Sequence, residues 1–207
     1  MAMPTRARIL ESAMRSFGGR GYEATSLDAL AAELGVRKQT ILYYFPSKEA
    51  LLEAVIDACA ADLTSELEHT LARAGQGWDR VEALVRKVFR LAARRPELLG
   101  FLREASRLGP PASTRLIAEL DPLVRRAQFF LRAEMDAGTF SRHDPSIVLL
   151  TAYSMVLGVA TEVEVLRALG GEPTLRSLVR RRRALESFLR GALAPEPAGG
   201  TAFSTQS

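Results

Sequence analysis

The stretch from Thr25 to Leu52 limits the folds open to this chain more than any other part of the sequence. Its first segment carries apolar residues at the spacing of one helix face: Leu27, Leu30, Ala31 and Leu34. Gly35 follows at a position where helices commonly end in a left-handed residue. Residues 35–37 have the length of the turn in a helix-turn-helix motif, and residues 38–45 continue as a short second helix. The spacing therefore predicts a helix-turn-helix unit.

Either of two adjacent hydroxyl residues can cap the first helix of this unit. Thr25 or Ser26 can be the N-cap, because a hydroxyl oxygen there accepts a hydrogen bond from a free backbone amide. With Thr25 as the cap, Asp28 occupies the capping-box position from which a carboxylate reaches back to the cap residue. The sequence leaves the choice of cap open and predicts that Asp28 binds the backbone.

The second helix and the residue before it present a distinctive set of side chains: Arg37, Lys38, Gln39, Thr40, Tyr43 and Tyr44. Two cations at a helix N-terminus oppose the helix dipole, which makes sense if a polyanion binds there. The hydroxyl groups of Thr40 and the tyrosines can bind phosphate oxygens, whereas Gln39 can read a base edge and Tyr43 can contact a thymine methyl. Core tyrosines and a solvated helix end are the simpler interpretation of each residue alone. Combined with the helix-turn-helix spacing, the set predicts a DNA-reading helix.

A long helix is predicted to follow the unit and to connect it to the rest of the chain. Ser47 can cap this helix, and an apolar stripe continues along it. Lys48 lies in its first turn, again against the dipole, and is assigned to phosphate binding. The glycines of 74–77 mark a boundary after this connecting helix, which spans 47–73.

The segment from Ala7 to Ile56 resembles the N-terminal DNA-binding domain of the tetracycline-repressor (TetR) family of bacterial transcription regulators. The matching positions are Phe17, Gly21, Tyr22, Thr25, Leu30, Ala31, Gly35, Val36, Thr40, Tyr44, Phe45 and the run from Ser47 to Leu51. Two residues of the presumed reading helix depart from the family: Gln39 stands where Gly is common and Leu42 where Tyr is common. These departures concern the operator sequence rather than the activity. The candidate DNA-binding residues are Thr25, Ser26, Arg37, Lys38, Gln39, Thr40, Tyr43, Tyr44 and Lys48.

The remaining chain has the pattern of helix throughout. Apolar residues recur at helical spacing over 5–20, 78–94, 97–108, 113–137, 145–169 and 174–193, and no stretch alternates convincingly with period two. The predicted fold is therefore all-α, with about nine helices. We expect a DNA-binding domain at 1–46, a helical ligand-binding and dimerisation domain at 47–194, and a disordered tail rich in small residues and proline at 195–207.

Composition and the scarcity of reactive side chains disfavour other classes of protein. The 207 residues carry a formal net charge of +4, which permits nucleic-acid binding without requiring it. Cys59 is the single cysteine and the two histidines, His69 and His143, are isolated, so we expect no catalytic constellation, no metal site and no cofactor. The N-terminus lacks an apolar signal segment, which favours a cytoplasmic protein. An all-α enzyme, or a membrane-active protein based on the apolar stretch 147–161, is the remote alternative.

The family resemblance implies what the C-terminal domain does. Its last two long helices would pair with those of a second copy, and the homodimer would set two reading helices about 34 Å apart on a palindromic operator. A small apolar or amphipathic effector would bind between helices and release a repressor from DNA, with the connecting helix as the lever. A ligand-dependent activator or a corepressor-type regulator is the alternative. The candidate pocket residues, whose simpler role is plain core, are Phe89, Phe101, Leu102, Arg103, Leu120, Phe130, Tyr153 and Leu157.

Overall fold

Ten helices make up the part of the chain that the computed structural model describes, residues 5–195. They are α1 (Thr5–Arg20), α2 (Leu27–Leu34), α3 (Lys38–Tyr44), α4 (Lys48–Ala72), α5 (Trp78–Arg94), α6 (Pro96–Arg107), α7 (Ala112–Asp136), α8 (Pro145–Thr161), α9 (Val163–Ala168) and α10 (Leu175–Leu193). No strand occurs within those residues, and the predicted all-α class is confirmed. The predicted tail lies outside the described residues from position 196 onward.

The helix bounds follow the sequence pattern closely, with one exception. α1 and α5 begin and end at the predicted residues, and the bounds of α4, α6 and α7 differ by one residue. The prediction of one helix over 145–169 is wrong, because the chain breaks at Glu162 into α8 and α9. Glu162 has a ψ of 76°, outside the helical range, and its carboxylate forms an ion pair with Arg103 of α6. This tertiary contact favours a bend in a run whose local pattern is continuous, and the number of helices becomes ten.

The start of α2 resolves the choice between the two candidate caps. Ser26 is the N-cap, and its hydroxyl oxygen accepts a hydrogen bond from the Ala29 amide at 3.1 Å. The predicted capping box is wrong, because the cap lies one residue later than the box requires. Asp28 instead accepts a hydrogen bond from Lys38 Nζ at 2.8 Å, which ties α2 to α3. Gly35 ends α2 with a φ of 66°, as predicted.

The largest hydrophobic core crosses the predicted boundary between the two domains. It contains completely buried side chains from α1 to α3, from α4 and from α6: Ile9, Phe17, Leu30, Ile41, Leu51, Ile56, Leu98 and Phe101. Leu116 of α7 belongs to the same core. The head, defined here as residues 5–45, is therefore packed directly on the helices that follow it. The predicted domain boundary at residue 46 therefore separates two predicted functions and not two hydrophobic cores, and it stays a prediction.

Two smaller clusters join the C-terminal helices. Phe89 of α5 packs with Leu185 of α10 in the first, and Leu131 of α7 packs with Leu193 of α10 in the second. α8 and α10 nevertheless leave large apolar side chains exposed: Ile147, Leu150, Tyr153, Leu175, Val179 and Phe188. Across residues 5–195, no helix is both long enough and apolar enough to cross a membrane.

The backbones of α1 and α6 meet almost in contact at Gly18 and Gly100. A Cβ atom at Gly18 would lie 2.5 Å from the Glu97 carbonyl oxygen and 2.8 Å from the Phe101 amide nitrogen. A Cβ atom at Gly100 would lie 2.9 Å from the Gly18 carbonyl oxygen. The rings of Phe17 and Phe101 stack beside this contact, with 6.3 Å between their centroids. Only glycine leaves room for the two helices to approach this closely.

Gly18→Ala is expected to lower the free energy of unfolding by about 1–3 kcal/mol, the usual effect of overpacking a tight contact. The clash involves backbone atoms of α6, so no side chain can rotate away to relieve it. Gly19→Ala is the matched control, because a Cβ atom there meets no atom within 4 Å and alanine favours the helix. Urea unfolding of both variants measures the difference. Equal stabilities would mean that the two helices are not held at this distance.

Candidate nucleic-acid interface

α3 buries Ile41 and presents its aromatic side chains to solvent. Tyr43 is 82% exposed and Tyr44 is 38% exposed, so neither is a core aromatic. The two rings meet edge to face, with their centroids 5.1 Å apart. The other candidates on α3 and immediately before it are exposed or half-buried: Arg37, Lys38, Gln39 and Thr40. An exposed pair of aromatic rings among polar residues is typical of a surface that contacts another molecule.

The positive charges beside α3 are only partly neutralised by the protein. Lys38 forms a surface ion pair with Asp28 of α2. Arg37, the residue before α3, is exposed and forms no salt bridge with any side chain that the structure describes. The start of α3 therefore carries positive charge that is available to an anion.

Lys48, at the start of α4, rests its ammonium group on the ring of Tyr22. Its Nζ lies 4.1 Å from the ring centroid and donates a hydrogen bond to the Glu23 carbonyl oxygen at 3.5 Å. Cation–π attraction holds the ammonium in place, and its other N–H groups can bind phosphate. Tyr22 is buried, and its hydroxyl donates to Glu49 at 3.3 Å. Tyr22 matches the family pattern, but the sequence did not predict its contact with Lys48, because that contact depends on the packing of α1 against α4.

Burial raises the pKa of the Tyr22 phenol from 10.0 to about 12, and the negative charge of Glu49 adds to this effect. The pKa of Glu49 is lowered, first by a hydrogen bond from its own backbone amide and then by the hydroxyl of Ser47. At neutral pH the phenol is therefore protonated and Glu49 is ionised. The Tyr22 hydroxyl remains a donor, and the ring remains a neutral surface beneath Lys48.

Thr25 is not available as a DNA contact, which corrects its place among the candidate residues. It is 2% exposed, and its hydroxyl donates to the Gly21 carbonyl oxygen at 2.9 Å, closing the turn between α1 and α2. Ser26 is exposed at the start of α2, and its hydroxyl can still donate a hydrogen bond outward while it accepts one from Ala29. The sequence alone does not distinguish these two hydroxyl residues, because the packing of the folded chain determines which of them is buried.

The eight candidate pocket residues are distributed among several parts of the structure. Phe101, Leu102 and Leu120 contribute to the main core, Phe89 to the first smaller cluster and Phe130 to the second, while Arg103, Tyr153 and Leu157 lie nearer the surface. Arg103 forms its ion pair with Glu162, and Tyr153 lies on the exposed side of α8. The eight residues of the predicted pocket therefore lie in three packed clusters between helices and at surface positions.

A polar cleft of about 690 Å³ lies between the C-terminal part of α4 and α5. Its walls carry mostly charged side chains, among them Glu66, Arg73, Asp79, Glu82, Arg86, Lys87 and Arg90. None of the candidate pocket residues lines this cleft. Within residues 5–195, no three His, Cys, Asp or Glu side chains are grouped to hold a metal ion. Cys59 is buried in α4, and burial raises the pKa of its thiol to about 12.

Comparison with known proteins matches residues 9–55, from α1 to the first turns of α4, to the family described as "Bacterial regulatory proteins, tetR family". The HTH-type transcriptional regulator TtgR of Pseudomonas putida is 36% identical over 83 residues. That alignment covers 40% of this chain and 37% of the relative, so the chain spans well under half the length of the curated protein it matches.

Solved structures share the fold over most of the chain. The ketosteroid transcriptional regulator KstR2 of Mycobacterium tuberculosis has a TM-score of 0.74 at 17% identity, covering 95% of this chain and 98% of that one. AibR, solved in complex with isovaleryl coenzyme A and operator DNA, has a TM-score of 0.74 at 21% identity, covering 89% of this chain and 97% of that one. At these identities the likeness establishes the fold.

The stability of the protein is expected to fall between pH 10 and pH 12 in part because of Tyr22. A raised phenol pKa means that the folded protein binds this proton more tightly than the unfolded chain does. The contribution is complete below pH 10 and is lost as the pH rises through about 12. Tyr22→Phe removes the titrating group and should flatten the loss of unfolding free energy over this range. Cys59 also has a raised pKa but is present in both proteins, so parallel curves would contradict the assignment to Tyr22.

Proposed function

We propose that this chain, which belongs to the tetR family of bacterial regulatory proteins, is a transcriptional repressor that binds a palindromic operator as a homodimer and leaves it when a small molecule binds. The observation that carries the proposal is the exposed polar and aromatic surface of α3 beside the ammonium group of Lys48. The operator DNA bound by AibR, which has the same fold, supports a DNA ligand. A regulator of this kind acts where bacterial DNA is, in the cytoplasm.

The side chains of the head divide into two groups on DNA. Arg37 and Lys48 carry the charges, and with the Tyr44 hydroxyl they bind phosphates, which sets the register of the protein on the duplex. Ser26, Lys38 and Thr40 complete the phosphate-binding set. Gln39 and Tyr43 point outward from α3 and contact base edges in the major groove.

A homodimer is proposed from the exposed apolar surface of the C-terminal helices. α8 and α10 pack together through Ala160, Leu185 and Leu189, yet Leu150 and Phe188 stay exposed on these same two helices. A second copy that covered this surface would remove apolar area from water and form a closed two-fold pair. The resulting spacing of about 34 Å between reading helices matches successive turns of the major groove.

The effector is proposed to be a small apolar or amphipathic molecule that binds among α5, α6, α7 and α8. The apolar interior around Phe89 and Leu102 supports this choice, as do the coenzyme A ester bound by AibR and the ketosteroid regulator KstR2. Because this interior is closed, an effector must separate helices that now touch. To move occupancy of the operator from nearly full to nearly empty, it must favour the released state by about 5.5 kcal/mol.

Fluorescence anisotropy with the DNA just upstream of the gene tests the proposal directly. The full-length protein should bind this duplex more tightly than a scrambled one, with two subunits per site and with affinity that falls as salt rises. Adding apolar and amphipathic compounds at saturation should identify some that release the DNA and raise the melting temperature. Equal weak binding to specific and scrambled duplexes, or no binding even at low salt, would contradict a sequence-specific regulator.

Substitutions in the head are expected to separate phosphate contacts from base contacts. Arg37→Ala and Lys48→Ala should weaken binding to all sequences and reduce the salt slope by about one unit per lost phosphate contact. Gln39→Ala and Tyr43→Ala should change base preference, with about 1–3 kcal/mol per lost contact. Arg142→Ala, which removes an exposed cation far from the head, is the control. If all four head variants behaved alike, the division into two groups would be wrong.

Phe188→Glu is expected to yield a monomer of 22.6 kDa rather than a dimer of twice that mass. Phe188 is 63% exposed on α10, and a carboxylate there would be buried without a partner in the proposed dimer. Ile117→Glu is the matched control, because Ile117 is 68% exposed but lies on α7, outside the proposed interface. Light scattering measures both masses. A dimeric Phe188→Glu variant would place the interface elsewhere.

A further inference from the structure

One face of α6 is in contact with the head along two turns. The Glu97 carbonyl and the Phe101 amide border Gly18, as described above, and Glu104 follows at the spacing that continues this face. Glu104 Oε1 accepts a hydrogen bond from the Tyr22 backbone amide at 3.0 Å. A side chain of α6 therefore binds the main chain of the turn that joins α1 to α2, across 82 positions of sequence.

Tyr22 links this hydrogen bond to the surface that faces DNA. Its carbonyl oxygen accepts from the Thr25 amide at 3.1 Å, so the turn leads directly into the cap of α2. Its ring meets the ring of Phe17 edge to face, with centroids 5.3 Å apart. The same ring lies beneath Lys48 Nζ, and the Tyr22 hydroxyl binds Glu49. A displacement of the Tyr22 backbone therefore moves the support of the Lys48 ammonium.

We propose that Glu104 is a positioning residue for DNA binding: by holding the Tyr22 amide it keeps the Tyr22 ring where it presents Lys48 to a phosphate. This inference rests on the proposed function. It adds a route from α6 to the head that does not pass along α4, the helix expected from the sequence to be the lever. Glu104 itself needs no contact with DNA, because it acts through the turn.

α6 is also attached to the C-terminal helices, at the residue beside Glu104. Arg103, the neighbouring residue, forms an ion pair with Glu162 at the break between α8 and α9. Two consecutive residues of α6 thus bind the C-terminal helices and the head, respectively.

A pair of substitutions at Glu104 isolates the hydrogen bond from the charge. Glu104→Leu removes the acceptor, whereas Glu104→Gln removes the same charge but keeps an oxygen that can accept from the Tyr22 amide. In the full-length protein, measured by anisotropy on an operator duplex, Glu104→Leu should lower affinity about tenfold, the effect of leaving the Tyr22 amide without its acceptor. It should also reduce the salt slope by about two units per dimer, one phosphate contact at each head. Glu104→Gln should stay close to wild type.

A double-mutant cycle with Lys48→Ala distinguishes positioning from general loss of structure. If Glu104 acts through Lys48, adding Lys48→Ala to Glu104→Leu should lower affinity little further. Multiplied effects of the two substitutions, or an unchanged salt slope in Glu104→Leu, would overturn the inference. Thermal unfolding shows whether Glu104→Leu is folded. Should it not be, Glu104→Asp, which keeps the charge on a side chain one methylene shorter, takes its place in the same cycle.

DNA binding by the wild-type protein distinguishes a failure of the proposed function from a failure of the role assigned to Glu104. Wild type that binds no DNA would overturn the proposed function and the inference together. Wild type that binds its operator, with Glu104→Leu indistinguishable from it in affinity and salt slope, would overturn the role of Glu104 alone.

Discussion

The close approach of α1 and α6 at Gly18 and Gly100 is the contact on which the rest of the structure depends. Because neither glycine has a side chain, the helix backbones touch, and the rings of Phe17 and Phe101 can stack beside them. That stacking continues the core of the head into the body of the molecule without a gap. A head held in this way has a defined orientation relative to the C-terminal helices, as the proposed binding of a dimer to two half-sites would require.

On the surface proposed to bind DNA, a buried residue holds an exposed side chain in position. Tyr22 is buried and contributes little surface of its own, yet its ring holds the Lys48 ammonium in place by cation–π attraction. Lys38, by contrast, is held by Asp28 and would have to exchange that ion pair for a phosphate in the proposed complex. An exposed ion pair of this kind contributes little to folding, so the exchange is feasible. The surface is therefore partly ordered before any ligand arrives.

The C-terminal helices combine small internal clusters with exposed apolar side chains, a surface that the proposed second copy would cover. The first cluster joins Phe89 to Leu185, while Phe188, one turn beyond Leu185 on α10, faces solvent. Burial of that face against a second copy and binding of an effector would both act on helices connected to α6. Glu162, at the break between α8 and α9, forms an ion pair with Arg103 that joins α6 to this region.

The sequence by itself determined the features whose causes lie within a few residues. The bounds of most helices, the glycine that ends α2, the serine that caps α4 and the outward face of α3 follow from spacing and from hydrogen bonds between near neighbours. Only the tertiary structure decided the burial of Thr25, the ion pairs of Asp28 and Glu162, and the support of Lys48 by Tyr22. Each of these depends on which distant residue packs nearby, such as Glu104 beside Tyr22. The spacing of apolar residues along the chain does not identify that partner.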